Sequence, residues 1–268
     1  MRKTKNIQIM MLMAALTLLW GCSSDDDNKS NGQPGSHSTV TTVTMRPNWS
    51  INWMSDATEP NWQEAPASKY ECSMDMMVEL DDEAVSYSTD DDLMAVFIGG
   101  ECRGVSNRNK MTSGKVAFLL HIKGSSEEVD ASMQIRYYSG GAHHLSITEG
   151  VPPFTPNNLM DETYQLVLSL AQGSQKYPLF TQLEVLLPDE LPFTVQENDI
   201  LAVFVGDECR GIGEYNPELY LGWRMNVYNA REDEVAHVRY YSSEQNCIYT
   251  FQQTFTLNGY LQGEKLQF

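Results

Sequence analysis

The chain has 268 residues, with 36 acidic against 18 basic side chains and a formal net charge of −18 at pH 7. A surface this acidic repels phosphate backbones and anionic lipid headgroups, which argues against nucleic-acid binding and against a basic membrane-binding patch. The length suits one large or two ordinary globular domains behind an N-terminal leader.

Residues 1–21 are predicted to be a signal peptide. Arg2 and Lys3 give it a positive start, and the apolar run Ile7–Trp20 is shorter than the roughly 20 residues that a membrane-spanning helix needs. The run ends in Leu-Trp-Gly-Cys, which resembles the lipobox of bacterial lipoproteins. That resemblance implies that Cys22 is lipidated and becomes the first residue of the mature protein. Ordinary signal cleavage, with Cys22 incidental, is the alternative.

Residues 22–44 are predicted to be a flexible tether. They are rich in Ser, Asn, Gly and Asp and contain few large apolar side chains. The acidic stretch Asp25–Asp27 resembles the surface-export signal of lipoproteins from Bacteroidota-type bacteria. We therefore expect an outer-membrane protein that is held by its lipid and faces the cell exterior.

Three tryptophans, Trp49, Trp53 and Trp62, precede the first predicted strand. Exposed aromatic rings can stack on sugar rings, so Trp49 and Trp53 are candidate ligand-binding residues. Burial as a hydrophobic lid on the first domain is the alternative, and it is the expected fate of Trp62.

An unusual stretch of sequence occurs twice, as Asp92–Gly104 and Asp199–Gly211, with nine of thirteen positions identical. A second pair of similar stretches follows, Ile135–Ser139 and Val238–Ser242. Self-similarity at this long spacing predicts domain duplication rather than a solenoid. The residues we assign to the structural motif are Asp92, Phe97, Gly99, Cys102, Arg103 and Gly104 in the first copy, and Asp199, Phe204, Gly206, Cys209, Arg210 and Gly211 in the second.

Each copy has the pattern of a β-hairpin. Short, branched apolar runs (93–98 and 200–205) indicate buried strands, and glycine-containing turns follow them. In the returning strand the cysteine is expected to point inward, while Glu and Arg share the outer face. The last glycine is expected to permit a bend or a close backbone approach. Further strands are predicted at 74–80, 116–122, 133–138, 145–148, 165–170, 183–187, 219–227, 235–241, 248–251 and 265–268.

These elements predict an all-β chain of two tandem antiparallel β-sandwich (Ig-like) domains. The first covers residues 45–171 and carries the Trp-rich N-terminal extension, and the second covers 172–268. Tandem units with an "AFVGDECRG"-like stretch resemble repeats in surface proteins of Bacteroidota. Here the stretch appears as Ala95–Gly104 and Ala202–Gly211. The resemblance implies accessory β-sandwich modules at a cell surface, and it brings no catalytic residues.

Several side chains remain open to more than one interpretation. Cys72, Cys102, Cys209 and Cys247 could form disulfides in an exported protein, although buried free thiols suit Cys102 and Cys209 better. The pair His143-His144 could bind a metal, but an exposed loop pair is favoured because no third ligand is spaced to join it. The acidic runs 81–83 and 90–92 could hold calcium, but solvated charge is favoured because they match no calcium-loop motif.

The sequence therefore predicts a non-catalytic binding or interaction module that recognises a glycan or another cell-envelope protein. No catalytic constellation is visible, and neither a cofactor nor a metal is expected. The alternative is a structural spacer, or an assembly or adhesin subunit, without a small-molecule ligand.

Overall fold

The structure, a computed structural model, describes residues 38–158, 166–215 and 222–267. The predicted signal peptide, Cys22 and the tether as far as residue 37 lie outside these ranges. The segment Ser36–Phe268 forms one compact unit. The regular secondary structure of its described residues is almost entirely β, in four sheets, so the predicted all-β sandwich class is confirmed.

The elements follow one another along the chain, and the longest connection between them is the segment 43–66. The strands are β1 (Ser38–Thr42), β2 (Cys72–Leu80), β3 (Leu93–Ile98), β4 (Glu101–Asn107), β5 (Asn109–Lys110), β6 (Val116–Gly124), β7 (Met133–Ser139), β8 (His144–Thr148), β9 (Leu166–Leu168), β10 (Leu179–Leu186), β11 (Ile200–Val205), β12 (Glu208–Ile212), β13 (Glu214–Tyr215), β14 (Trp223–Asn229), β15 (Glu234–Ser242), β16 (Cys247–Leu257) and β17 (Tyr260–Lys265). One α-helix, α1 (Asp82–Ser86), begins where the Asp81 carboxylate accepts a hydrogen bond from the Ala84 amide. Two 3₁₀ turns cover Ala67–Lys69 and Ser126–Glu128.

The sheets form two pairs, and each pair encloses its own hydrophobic core. In the first half, the sheet β5-β6-β2-β9 packs on the sheet β4-β3-β7-β8 around Met76, Val96, Phe118 and Ile135. In the second half, the sheet β13-β14-β10-β17 packs on the sheet β1-β16-β15-β11-β12. The second core contains Leu183, Val203, Val227, Val238 and Phe251. It stays a prediction that each half folds as an independent domain.

The repeated hairpins have the predicted strands and turns. The bounds of β3 and β11 agree with the sequence prediction, and Gly99 and Gly206 have the positive φ values, 57° and 60°, that the turns require. A Cβ on Gly104 would lie 2.5 Å from the His121 carbonyl oxygen, and one on Gly211 would lie 2.7 Å from that of Asn226. These glycines therefore let the hairpin lie directly against the opposing sheet, as the sequence indicated.

The predicted tether is wrong in its last part. Ser38–Thr42 form β1, which pairs antiparallel with β16 at the edge of a sheet in the second half. Composition misled here because an edge strand is held mainly by main-chain hydrogen bonds. Most of the β1 side chains are exposed and need not be apolar. Strand β17 also begins at Tyr260, well before the predicted start at Lys265.

Candidate functional site

The repeated cysteines lie on the face of the hairpin that points away from the main core. Cys102 packs with Ala95 and Phe97, and the ring of Trp62 covers this patch. The prediction that the thiol points into the sandwich core is therefore wrong, because Cys102 pairs directly with Phe97, and Phe97 also lies on this face. The thiol is nevertheless 7% exposed and free.

The second copy repeats this arrangement with a tryptophan from the same segment. Cys209 packs with Ala202 and Phe204, and Trp49 lies edge-on to Phe204 at 5.5 Å between ring centroids. Cys209 is also a free thiol. Burial raises the pKa of Cys209 to about 11, and burial likewise raises the pKa of the Cys102 thiol. A reactive cysteine needs the opposite shift, so both thiols act as small hydrophobic side chains.

One sequence signal could have revealed that a tryptophan covers each repeated hairpin. The tripeptide Pro-Asn-Trp occurs at 47–49 and again at 60–62. The first copy covers the hairpin of the second half, and the second copy covers the hairpin of the first half. The segment before β2 therefore spans both halves, and it is not an extension of the first domain alone.

Trp53 does not lie at a surface. Its side chain is 0% exposed and packs edge-on against Tyr177 and Tyr228, at 5.6 and 5.0 Å between ring centroids. The prediction that Trp53 stacks on a sugar is therefore wrong, because the ring fills the space between residues of the two halves. Trp49 is half-buried beneath a shallow pocket of about 510 Å³, which it lines with Asn52 and Asp207.

The repeated arginine is buried, although the sequence placed it on the outer face with Glu101. Arg103 is 5% exposed and makes two parallel hydrogen bonds to Glu128, at 2.6 and 2.9 Å. Its guanidinium lies 4.1 Å from the centre of the Tyr70 ring. Glu101 pairs with Arg103 at 3.3 Å, as predicted, and also with Lys69 at 2.6 Å.

The second copy builds the same cluster. Arg210 pairs with Glu208 at 2.9 Å and with Glu234 at 3.3 Å, and its guanidinium lies 4.4 Å from the centre of the Tyr177 ring. Burial opposes ionisation of Glu208, but hydrogen bonds from Lys176 and Tyr177 lower its pKa below the usual range. The signal that sequence reasoning missed is the dipeptide Lys-Tyr, which stands the same distance before each Glu-Cys-Arg-Gly.

The repeated aspartates are structural. Asp92 is 0% exposed and accepts hydrogen bonds from the Tyr137 hydroxyl at 2.9 Å and the Gly140 amide at 2.8 Å. Asp199 accepts equivalent bonds from Tyr240 and Ser243. Each carboxylate therefore ties the start of its hairpin to the strand that carries the repeated Tyr-Tyr pair. This contact explains why the two sequence echoes occur together.

The remaining polar candidates do not form a metal site. His144 is 0% exposed and bonds to the carbonyl oxygens of Trp53 and Leu170, so the expected exposed pair of histidines is wrong for this residue. Burial lowers the pKa of His144 from its usual value. Across the described parts of the chain, no three His, Cys, Asp or Glu side chains are grouped in a way that could hold a metal ion.

A cleft that the sequence did not reveal opens on the outer face of the second half. Its volume is about 460 Å³, and it lies between the turn 169–175 and the sheet that carries β10 and β14. Phe180 and Tyr228 face each other across these strands, and Phe180 is 60% exposed. The lining also includes the side-chain amides of Gln172, Gln175 and Asn226 but no charged residue.

The corresponding face of the first half is different. Gly104 lies against His121 in the first half, and Gly211 lies against Asn226 in the second half. His121 and Asn226 therefore occupy equivalent positions. The strand pairings then relate Asp75 to Gln182, and the pair Ser73–Lys123 to the pair Phe180–Tyr228. The His121 ring nitrogen Nδ1 and the Asp75 carboxylate are hydrogen-bonded at 2.6 Å. The first half therefore has Asp75, His121 and Lys123 at positions where the second half has Gln182, Asn226 and Tyr228.

The sequence and the fold were compared with known proteins. No protein family, curated protein or solved structure matches the chain. None of the helices in the described residues is long and apolar enough to cross a membrane.

Proposed function

We propose that the protein is a cell-surface lipoprotein whose folded part is a non-catalytic binding module for a glycan. The observation that carries the proposal is the cleft beside Phe180 and Tyr228. It combines aromatic rings with side-chain amides and no charge, in a chain whose net charge is −18. Sugar rings are recognised by stacking on aromatic faces and by hydrogen bonds to neutral polar groups.

The described residues favour binding over catalysis. The repeated thiols are buried with raised pKa values, so they are poor nucleophiles. The repeated carboxylates Asp92 and Asp199 are occupied by structural hydrogen bonds. The Arg103 and Arg210 clusters are internally paired in the same way. The groups that the sequence duplicates therefore maintain the fold and leave recognition to unduplicated side chains.

The experiment is a glycan array probed with the full chain in mild detergent, beside two variants. Phe180→Ala removes the exposed ring of the cleft and should abolish the array signal. Leu119→Ala is the matched control, because Leu119 is also 60% exposed and lies on the equivalent face of the first half. That variant should bind like the wild type. A wild-type chain that gives no signal on the array would refute glycan binding.

A structural spacer or an assembly subunit is the second candidate. It is favoured by β1, an edge strand on which Val40 is 55% exposed. Exposed edge strands can pair with another chain. Concentration-dependent self-association in sedimentation velocity, lost on Val40→Lys, would support this candidate over the first.

A further inference from the structure

We infer that the outer edge of β1 pairs antiparallel with β1 of a second copy of this chain, which joins the five-stranded sheets of the two copies edge to edge. The pairing goes beyond glycan binding, and it names the partner and the register for the assembly role considered above. It follows from three features of this edge: its main-chain groups, its lack of protection and its lack of charge.

Strand β1 directs main-chain groups away from its own sheet. It lies at the end of the five-stranded sheet, with β16 on one side. The Val43 amide donates to the Asn246 carbonyl oxygen at 2.8 Å, one residue beyond the pairing of Thr42 with Cys247. Because hydrogen-bonding directions alternate along an antiparallel strand, the amide and carbonyl groups of Val40 and Thr42 point to the side opposite β16. Another strand can bond to these groups.

The other sheet edges in the described ranges are protected. Strands β5, β9 and β13 have only two or three residues. The pairings of β4, β12 and β17 each contain a register shift, which interrupts an edge for a further strand. The edge of β8 is closed by Gly173 and Gln175, whose main-chain groups bond to those of Ile147 and Leu145 at 2.9 and 3.0 Å. Strand β1 instead pairs with β16 in continuous register over five residues, and its last four residues are exposed.

The edge at β1 also carries no charge. Neither the five residues of β1 nor the eleven residues of β16 include a charged side chain, in a chain of which 20% is charged. Charged side chains, especially lysines, are a common device that keeps edge strands from pairing with one another. This edge therefore lacks both the geometric and the electrostatic protection of an edge that stays single.

A second copy of β1 is the partner that fits this edge. Val40 pairs with Tyr249, which is 4% exposed, so the Val40 side chain lies on the core side of the sheet although it is 55% exposed. In an antiparallel pair centred on Val40, the two Val40 side chains lie directly opposite and cover each other. The same register sets Thr39 opposite Thr41, so no like charges face each other.

The proposed lipid anchor favours a second copy over a different partner. Ser38 follows Cys22 by sixteen residues, so copies anchored in one membrane hold β1 on tethers of the same length. This confinement raises the effective concentration of one copy for another. A pair of five-residue strands is a small contact, and the net charge of −18 opposes association in solution. Pairing should therefore be favoured on a membrane.

The first test is crosslinking of the full chain, anchored in phosphatidylcholine vesicles, with a short bismaleimide. Val40→Cys should give a crosslinked dimer in at least tenfold higher yield than Met45→Cys. Met45 is the more exposed of the two, 78% against 55%, but it lies outside β1 and away from the two-fold axis at Val40. Both variants also carry Cys247→Ser, because the Cys247 thiol lies 3.7 Å from the Thr42 hydroxyl. Equal yields from the two variants would show random collision and overturn the inference.

The second test places a charge at the edge. Val40→Lys sets two like charges opposite each other, so energy transfer between donor- and acceptor-labelled chains on the vesicles should fall to the background of non-interacting chains. Val235→Lys is the matched control, because Val235 is 56% exposed but lies on the interior strand β15. It should leave the energy transfer unchanged, and unfolding temperatures should confirm that both variants fold. Wild-type energy transfer in Val40→Lys would show that association does not use β1.

These outcomes are separate from those for glycan binding. Val40→Lys should give the wild-type signal on the glycan array, because Val40 does not line the cleft beside Phe180. A blank array for the wild type, together with dimers of Val40→Cys, would refute glycan binding and support the strand pairing. A positive array without crosslinking at Val40 would overturn the strand pairing and leave the proposed function standing.

Discussion

The buried guanidinium of Arg103 is stabilised by several neighbouring side chains. A guanidinium that is 5% exposed loses its hydration, and Glu128, Glu101 and the Tyr70 ring replace that hydration with two ion pairs and a cation–π contact. Lysine could not substitute, because it lacks the planar fork that bonds to both carboxylate oxygens of Glu128. This requirement accounts for the identity of Arg103, whereas Arg210 uses Nε for Glu208 and Nη1 for Glu234.

The Arg103 cluster leads to a prediction about Glu128→Gln. The hydrogen bonds from Arg103 lower the pKa of Glu128 in the folded state. The unfolded state therefore takes up the proton first as the pH falls, and the stabilisation present above about pH 4.3 is lost below it. The variant should be less stable by about 2 kcal/mol at pH 7 and should lose less stability on acidification. Urea unfolding between pH 3 and pH 7 measures both effects.

The control for Glu128→Gln is Asp189→Asn. Asp189 pairs with Lys265 at 2.5 Å but is 88% exposed, so its loss should cost under ~1 kcal/mol. If the two variants lost equal stability, the burial of Arg103 would not be the cause.

At the scale of elements, the segment from β1 to Ala65 connects the two halves. Strand β1 pairs with β16, and Trp49 covers the hairpin of the second half. Trp62 then covers the hairpin of the first half, and the Ala65 amide bonds to the Cys102 carbonyl oxygen at 3.0 Å. Trp53 lies between these two lids. The segment therefore packs on both halves, which explains why Trp49 and Trp62 are only partly exposed.

Trp53→Ala should be the most damaging substitution in this segment. The ring is fully buried against Tyr177, Tyr228 and His144, and its removal leaves a cavity costing about 3–5 kcal/mol. Trp49→Ala should cost less, because that ring is only half-buried. Equilibrium unfolding in urea gives both values. Equal losses from the two variants would contradict the central position of Trp53.

At the scale of the whole molecule, the charge and the leader predict how the protein is held. The net charge of −18 opposes attachment to anionic lipid, so the acyl group expected on Cys22 is the predicted anchor. Cys22→Ser should release the protein from membranes into the soluble fraction. Immunoblots of fractionated cells after a high-salt wash measure this release. A variant that still sediments with membranes would contradict a lipid-only attachment.

Local sequence patterns determined the class of the fold and its duplication. Alternating and branched apolar runs predicted most strands, including the bounds of β3 and β11, because burial of one sheet face imposes a two-residue period. Identical residues predicted the two hairpins, and the glycines predicted their turns and close approaches. These features depend on residues that are close together in the sequence, or only on whether a side chain is polar or apolar.

Only the tertiary structure decided the partners of these residues. The position of β1, the burial of Trp53 and the covering of Cys102 and Cys209 all depend on segments that are far apart in sequence. The cleft likewise joins the turn 169–175 to Phe180 on β10 and to Asn226 and Tyr228 on β14. The chemistry of a side chain determines whether it can be buried or can stack on a sugar. The packing of the rest of the chain determines which of these it does.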